Sequence, residues 1–333
     1  MGQGNPWARR ILLVVLAGIV SIVAVNFIGD LTLYSLRNVE PREWYHQLII
    51  ENKAPPKGWT GEGMNGSNIR IAVPYLVEFL HRQTGADVAK LYKAVDLASL
   101  WLGMVLFYGY LAGRFRASES ALACAYFVAM LPLTFAYHNY MPWDRASFAA
   151  WLAALWLARS QRFLAFCVAA VVGLLIKYDA IVLPALYFLG HATMRAWRKP
   201  LAQSCLLAAV LAGIFWGLLA LLPGGFEPRP YGALILRNIA MMIHQGPAYA
   251  PTLAFGLPAV LAILGYRASD QFSRAGIWVA ALVAAILFAS TNFEEVRAEQ
   301  MLFPLLAPAA LTGLRRVLGQ PETAATTPRT ASQ

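Results

Sequence analysis

Almost the whole of this chain is a ladder of apolar runs, broken by short punctuation in which basic residues gather on alternate sides. A helix needs roughly 20 apolar residues to cross the ~30 Å hydrocarbon layer of a bilayer, and few other structures use such runs in series. The proportions agree: 59% of the 333 residues are hydrophobic and 13% charged, against about 45–50% apolar in a soluble domain. The chain therefore reads as an all-α polytopic membrane domain over residues 1–316, with a tail at 317–333 whose Thr, Ala, Pro and Gln predict disorder. No internal repeat or heptad pattern is present.

About ten spans are expected, at roughly 11–29, 88–113, 120–137, 146–158, 163–176, 180–190, 203–222, 251–266, 276–290 and 300–314. Several are shorter than a straight crossing needs. The two shortest, 163–176 and 180–190, meet at Lys177, Tyr178 and Asp179, which predicts two helices that stop part-way across or a bilayer thinned by the protein. Non-helical backbone at such a depth is tolerated only where it is packed in protein or lines a wet cavity.

Charge orients the ladder. Arg9, Arg10, Arg114, Arg116, Arg159, Arg162, Arg195, Arg198, Lys199, Arg267, Arg274, Arg315 and Arg316 all fall on one side, which the positive-inside rule makes cytoplasmic. With Arg329 that side holds 14 of the 27 basic residues but only 3 of the 17 carboxylates, Glu119, Asp270 and Glu322. Both termini are then inside, in a bacterial inner membrane. The net charge of +10 follows from this topology and is not read as nucleic-acid binding. Arg9 and Arg10 precede a run too long for a signal-peptide core and without a small-residue cleavage site, so a retained first helix is expected.

The acids point to the opposite, outer face. Its first loop, about 30–87, carries amphipathic stretches at Pro41–Glu51 and Ile69–Arg82 around a turn-rich segment, and predicts two helices lying at the interface. A second outer loop, about 223–250, reads as an interfacial helix flanked by turns, either a lateral gate for a lipid chain or a membrane-hugging connector. Trp44, Trp59 and Trp143 near the boundaries read mostly as an interfacial belt. The cysteines lie inside spans and no two histidines have ligand spacing, so neither a disulfide framework nor a zinc site is expected.

A first span ending in Asp30, a long outer loop leading into NIRIAVPYLVEFL, then YMPWDRASFAAWLAALWLARSQRFLAFCVAAVVGLLIKYDAIVLP, and finally NFEEVRAEQMLFPLLAP resemble the GT-C superfamily of integral-membrane glycosyltransferases. The resemblance covers most of residues 25–312 through short, degenerate motifs. It implies a polyprenyl-phosphate sugar donor, a glycan, lipid or protein acceptor, and chemistry on the outer face with a first-loop carboxylate as base. The matching position is Asp30. No Asp-x-Asp follows it, the next acids being Glu40 and Glu43, so no metal or other cofactor is assigned.

Such chemistry asks for a carboxylate to take the acceptor's hydroxyl proton and for cations to stabilise the departing phosphate. Asp30 is the expected base, with Glu43 or Glu294 next in line. Arg297 and Lys177 are the expected phosphate ligands, since cations at outer helix ends are costly to bury without a carboxylate or phosphate partner and guanidinium can grip two oxygens at once. Arg145, Glu294, Asp144 and His138 complete the candidate site. Each has a plainer reading. Asp30 caps a helix end; Asp144 with Arg145, and Lys177 with Asp179, are structural ion pairs; the run from Glu294 to Glu299 is solvated surface; and His138 bonds lipid headgroups. Two other classes stay open, a non-catalytic membrane subunit and a lipid or solute transporter.

Overall fold

The computed structural model of the protein describes residues 6–29, 41–51, 70–133, 141–222, 231–246, 249–290, 296 and 300–320, and among these every regular element is helical. The helices are α1 (Pro6–Ile22, running on as a π-helical stretch, Val23–Gly29), α2 (Pro41–Ile50), α3 (Ala72–Thr84), α4 (Val88–Ala112), α5 (Ala117–Met130), α6 (Asp144–Arg159) and α7 (Phe163–Ile176). After a 3₁₀ turn, Tyr178–Val182, come α8 (Leu183–His191), α9 (Arg198–Leu221), α10 (Tyr231–Gln245), α11 (Ala250–Gly265), α12 (Gln271–Ser290) and α13 (Leu302–Val317).

Four segments are long and apolar enough to cross a membrane: α4, α9, α11 with the 3₁₀ turn that follows it, and α12. Large apolar side chains also face outward, among them Leu164, Val168, Leu206 and Ile263. An apolar exterior of this kind is stable only in lipid, so the protein is a membrane protein. Other apolar helices among the described residues, such as those within Ile11–Asn26, Ala117–Leu133 and Phe163–Ile176, are shorter than the roughly 20 residues a straight crossing takes. At 1.5 Å per residue α6 and α7 are about 24 and 21 Å long, against about 37 Å for α4.

The shortness of α7 has a local cause. Pro184 occupies the first turn of α8, where its missing N–H costs nothing, but inside a continuous helix its ring would clash with the preceding turn. The chain therefore leaves helical geometry at Lys177 (φ −157°, ψ 127°) and re-enters through the 3₁₀ turn. Start and stop signals set the outer limits of other elements. Asp87 caps α4 by accepting from the Lys90 N–H at 3.0 Å, and Gly85 ends α3 with a positive φ of 66° that a side chain would resist.

Close packing comes from small residues, as is usual between helices in lipid. Across α11 and α13, a Cβ on Gly313 would lie 1.9 Å from the Leu261 carbonyl oxygen, and one on Gly265 2.2 Å from that of Ala309. Gly103 on α4 lets the Phe148 ring of α6 approach its backbone. One large apolar core runs through α1, α4–α9 and α11–α13. A second, smaller core of Leu48, Val73, Val77, Tyr92, Trp143 and Ile176 ties α2 and α3 over the end of the bundle where α7 stops. The two helices expected in the first loop are therefore present as α2 and α3, and they form a roof. That roof corrects the reading of Trp143 as an interfacial belt residue: its side chain is fully buried.

Candidate functional site

The bundle has two charged ends. At one, Asp270 precedes α12, caps it through the N–H groups of Phe272 and Ser273 at 3.1 and 3.3 Å, and accepts from Arg114 and Arg159. Nearby Arg315 grips both carboxylate oxygens of Glu119, each at 2.6 Å. These pairs bind helix ends that meet there, α4 to α6 and α12, and α5 to α13.

The other end lies at the break between α7 and α8. Lys177 Nζ stands 3.2 Å from Asp144 Oδ1 and 3.5 Å from Asp179 Oδ2, and the Trp151 indole N–H donates to Asp179 Oδ1 at 3.1 Å. Arg145 donates to Gln300 Oε1 at 2.7 Å, bringing α6 to the turn before α13. Asp144, Arg145, Lys177 and Gln300 are all buried. Measured along α6 and α7, these charges sit about 21–24 Å from the Asp270 end, short of a ~30 Å hydrocarbon layer.

The entry to α3 completes the cluster. Arg70 places its guanidinium 4.6 Å from the centroid of Trp143 and 4.6 Å from that of Tyr178. Its Nε is buried and has no hydrogen-bond partner among the described residues. Asp179 feels its charge. Among the described residues, Arg70, Arg145 and Lys177 lie at this end together with the carboxylates Asp144 and Asp179. A cation held by aromatic faces keeps its hydrogen-bonding edge for oxygens.

Above this layer the roof helices carry their own polar chain. His46, buried on α2, lies 3.0 Å from Glu78 Oε2 through Nε2 and 3.3 Å from the Tyr92 hydroxyl through Nδ1. A neutral ring satisfies both by donating from Nε2 to Glu78 and accepting from Tyr92 at Nδ1. Glu78 also pairs with Arg82. The Arg82 hydrogen bond holds the Glu78 carboxyl below the usual carboxylate range, His46 adds to the effect, and burial opposes it.

Of the residues that the sequence singled out, the fold brings together Asp144, Arg145 and Lys177. The expected pair of Lys177 with Asp179 is present, while the expected pair of Asp144 with Arg145 is not: Asp144 bonds Lys177, just past α7, and Arg145 turns to Gln300, because consecutive helical residues point about 100° apart. Glu43 is exposed in the first turn of α2. Asp30, His138, Glu294 and Arg297 lie outside the described residues. Arg70, Trp151 and Gln300 join the site without having been expected there. The only signal for Arg70 was its place at the start of the amphipathic stretch Ile69–Arg82.

Set against protein-family models, curated proteins and solved structures, the chain matches none of them.

Proposed function

We propose that this protein is a membrane glycosyltransferase that moves a sugar from a polyprenyl-phosphate donor to an envelope glycan, lipid or protein acceptor at its Lys177 end. One observation carries the reading: a buried, roofed cluster of ionic groups at a helix break, in which the Arg70 guanidinium lies against two aromatic rings with one buried nitrogen unbonded among the described residues. A phosphate monoanion entering such a site meets that guanidinium in a low-dielectric setting, where the interaction is strong. In this scheme a carboxylate takes the acceptor's hydroxyl proton as its oxygen attacks the anomeric carbon. The bond from that carbon to the phosphate oxygen breaks, and the leaving phosphate is stabilised by Arg70 and Arg145.

Lys177 acts here through Asp144 and Asp179, which it positions. Asp30 keeps its role as proposed base and Arg297 as proposed ligand. The finer topology belongs to the same proposal: about ten passes in a GT-C-like arrangement, both termini in the cytoplasm of a bacterial cell, and the Lys177 end facing outward. The pairing of Lys177 with two carboxylates also favours a second reading, a non-catalytic subunit whose buried ions only hold helices together.

Transfer from a panel of radiolabelled polyprenyl-phosphate sugars, measured in membranes with equal expression, separates the two. The expected result is transfer by wild type, a fall of about 100-fold in Arg70→Ala, comparable to losing one preorganised charge donor, and a loss in Asp30→Asn. Transfer surviving Asp30→Asn moves the base to Glu43 or Glu294. No transfer from any donor supports the subunit reading.

A further inference from the structure

We infer that the corner joining α11 to α12 is a binding site for an anionic phospholipid of the surrounding bilayer, with the lipid phosphate held by Arg267, Arg274 and Arg316. The corner belongs to the Asp270 end, and the inference stands whatever chemistry the Lys177 end performs. It is the shared end of two segments long and apolar enough to cross a membrane, Ala250–Ala268 and Gln271–Ser290.

The arginines at this end fall into two sets. Arg114 and Arg159 are engaged by Asp270, and Arg315 by Glu119. The second set has no such partner. Among the described residues Arg267 and Arg274 make no ion pair or hydrogen bond through their side chains, and the Arg274 Nε is shut off from solvent without an acceptor. An N–H left in that state is costly until an acceptor arrives. Arg316 makes one hydrogen bond, from Nη1 to the Leu264 carbonyl at 3.1 Å, which sets its guanidinium beside the last turn of α11, one turn from Arg267. Asp270 and Glu119, the carboxylates described at this end, already bind the first set. The second set is therefore left to an anion from outside the chain, and phosphate oxygens match the guanidinium fork.

Aromatic and apolar neighbours select a lipid over a soluble anion. Tyr266, next to Arg267, accepts through its hydroxyl from the indole N–H of Trp278 at 3.1 Å, with the two rings nearly perpendicular and their centroids 6.3 Å apart. Trp278 stands one turn beyond Arg274 on α12 and is 60% exposed. Residues four apart share a helix face, so guanidinium, indole, Leu282 and Ile286 follow one another along α12, the last three all exposed. On α11 the exposed Val260 and Ile263 lead up to Arg267 in the same way. A Trp–Tyr pair with arginine on one side and apolar surface on the other suits the boundary between headgroups and acyl chains. A free phosphate makes no use of the apolar track, whereas a phospholipid lays an acyl chain on it while its phosphate reaches the arginines. A zwitterionic headgroup brings a cation that these guanidiniums repel, so the bound class is anionic.

The test is native mass spectrometry of the full-length chain, released from detergent carrying an equimolar mixture of phosphatidylglycerol and phosphatidylcholine with matched acyl chains. Phosphatidylglycerol adducts are expected to dominate. Arg267→Gln with Arg274→Gln is expected to cut them about tenfold, each arginine near an anionic lipid contributing a factor of about five. Arg162→Gln with Arg198→Gln, at exposed positions just before α7 and at the start of α9, is expected to leave them unchanged. Trp278→Ser keeps every charge, changes a largely exposed side chain where folding is not at stake, and is expected to lower the same adducts severalfold. Equal adducts of the two lipids, equal losses in the two arginine pairs, or indifference to Trp278→Ser each overturn the inference. Displacement of the lipid by glycerol 3-phosphate or inorganic phosphate overturns it as well, by making the corner a site for soluble anions.

Discussion

The two charged ends use the same ion-pair chemistry for different ends. At the Asp270 end each carboxylate is gripped by arginine, Asp270 is further held by backbone N–H groups, and the pairs keep some contact with solvent, with side chains of Arg114 and Asp270 both 31% exposed. At the Lys177 end the side chains of Lys177 and Asp144 are 9% and 4% exposed, and a roof of apolar side chains lies above them. A staple at a helix end tolerates water. A recognition site needs its charge held out of water.

The comparison breaks or holds first on stability. Lys177→Met strips two buried carboxylates of their partner, and such a loss is expected to cost about 3–5 kcal/mol. Asp270→Asn, at a half-exposed network, is expected to cost about 1 kcal/mol. Unfolding of the two variants in matched detergent measures both, and equal costs would mean that the two ends do not differ in burial as described. Replacing Asp144 and Asp179 by leucine alongside Lys177→Met sharpens the point. An apolar substitute for a whole buried ion group is often neutral, so stability is expected to recover while any lipid-phosphate binding stays lost.

The seam between α11 and α13 supplies the next largest effect. Gly313→Ala drives a methyl group into the Leu261 carbonyl and is expected to cost about 1–3 kcal/mol, as overpacking does. Gly213→Ala on α9 meets nothing within 4 Å and is expected to leave stability unchanged or slightly raised. Similar behaviour of the two variants would show that α11 and α13 are not in such close contact.

How far these features could be read in the sequence depends on how local their causes are. Charges in apolar surroundings are conspicuous, so Asp144, Arg145, Lys177 and Asp179 stood out before any coordinates, and two short runs meeting at Lys177 announced the helix break. Amphipathic spacing likewise announced α2 and α3. Trp143 was misread because a tryptophan beside a charged boundary looks the same from sequence whether lipid headgroups or two roof helices cover it. Arg70, Trp151 and Gln300 were invisible as site residues, since each takes its role from a partner on another element: the rings of Trp143 and Tyr178, the Asp179 carboxylate and the Arg145 guanidinium.

The smallest expected effect tests the roof. Glu78 joins α3 to α2 through His46, and its pKa lies below the ordinary value of 4.5 chiefly because of Arg82. A carboxyl whose folded pKa is lowered contributes stability that is present above its unfolded pKa and lost as pH falls through the folded one. Lowering the pH from about 6 to about 3.5 should therefore loosen the roof, and Glu78→Gln should remove that part of the pH dependence while costing about 1–3 °C in Tm near neutrality. Intrinsic tryptophan emission reports the event, because Trp143 is fully buried beneath α3 and moves to a wetter setting if the roof lifts. A red shift below pH 4.5 in wild type that is already present at pH 6 in Glu78→Gln would tie the roof to this carboxylate. An emission maximum indifferent to both would mean that Val73, Val77 and Leu48 hold α2 and α3 down by apolar contact alone.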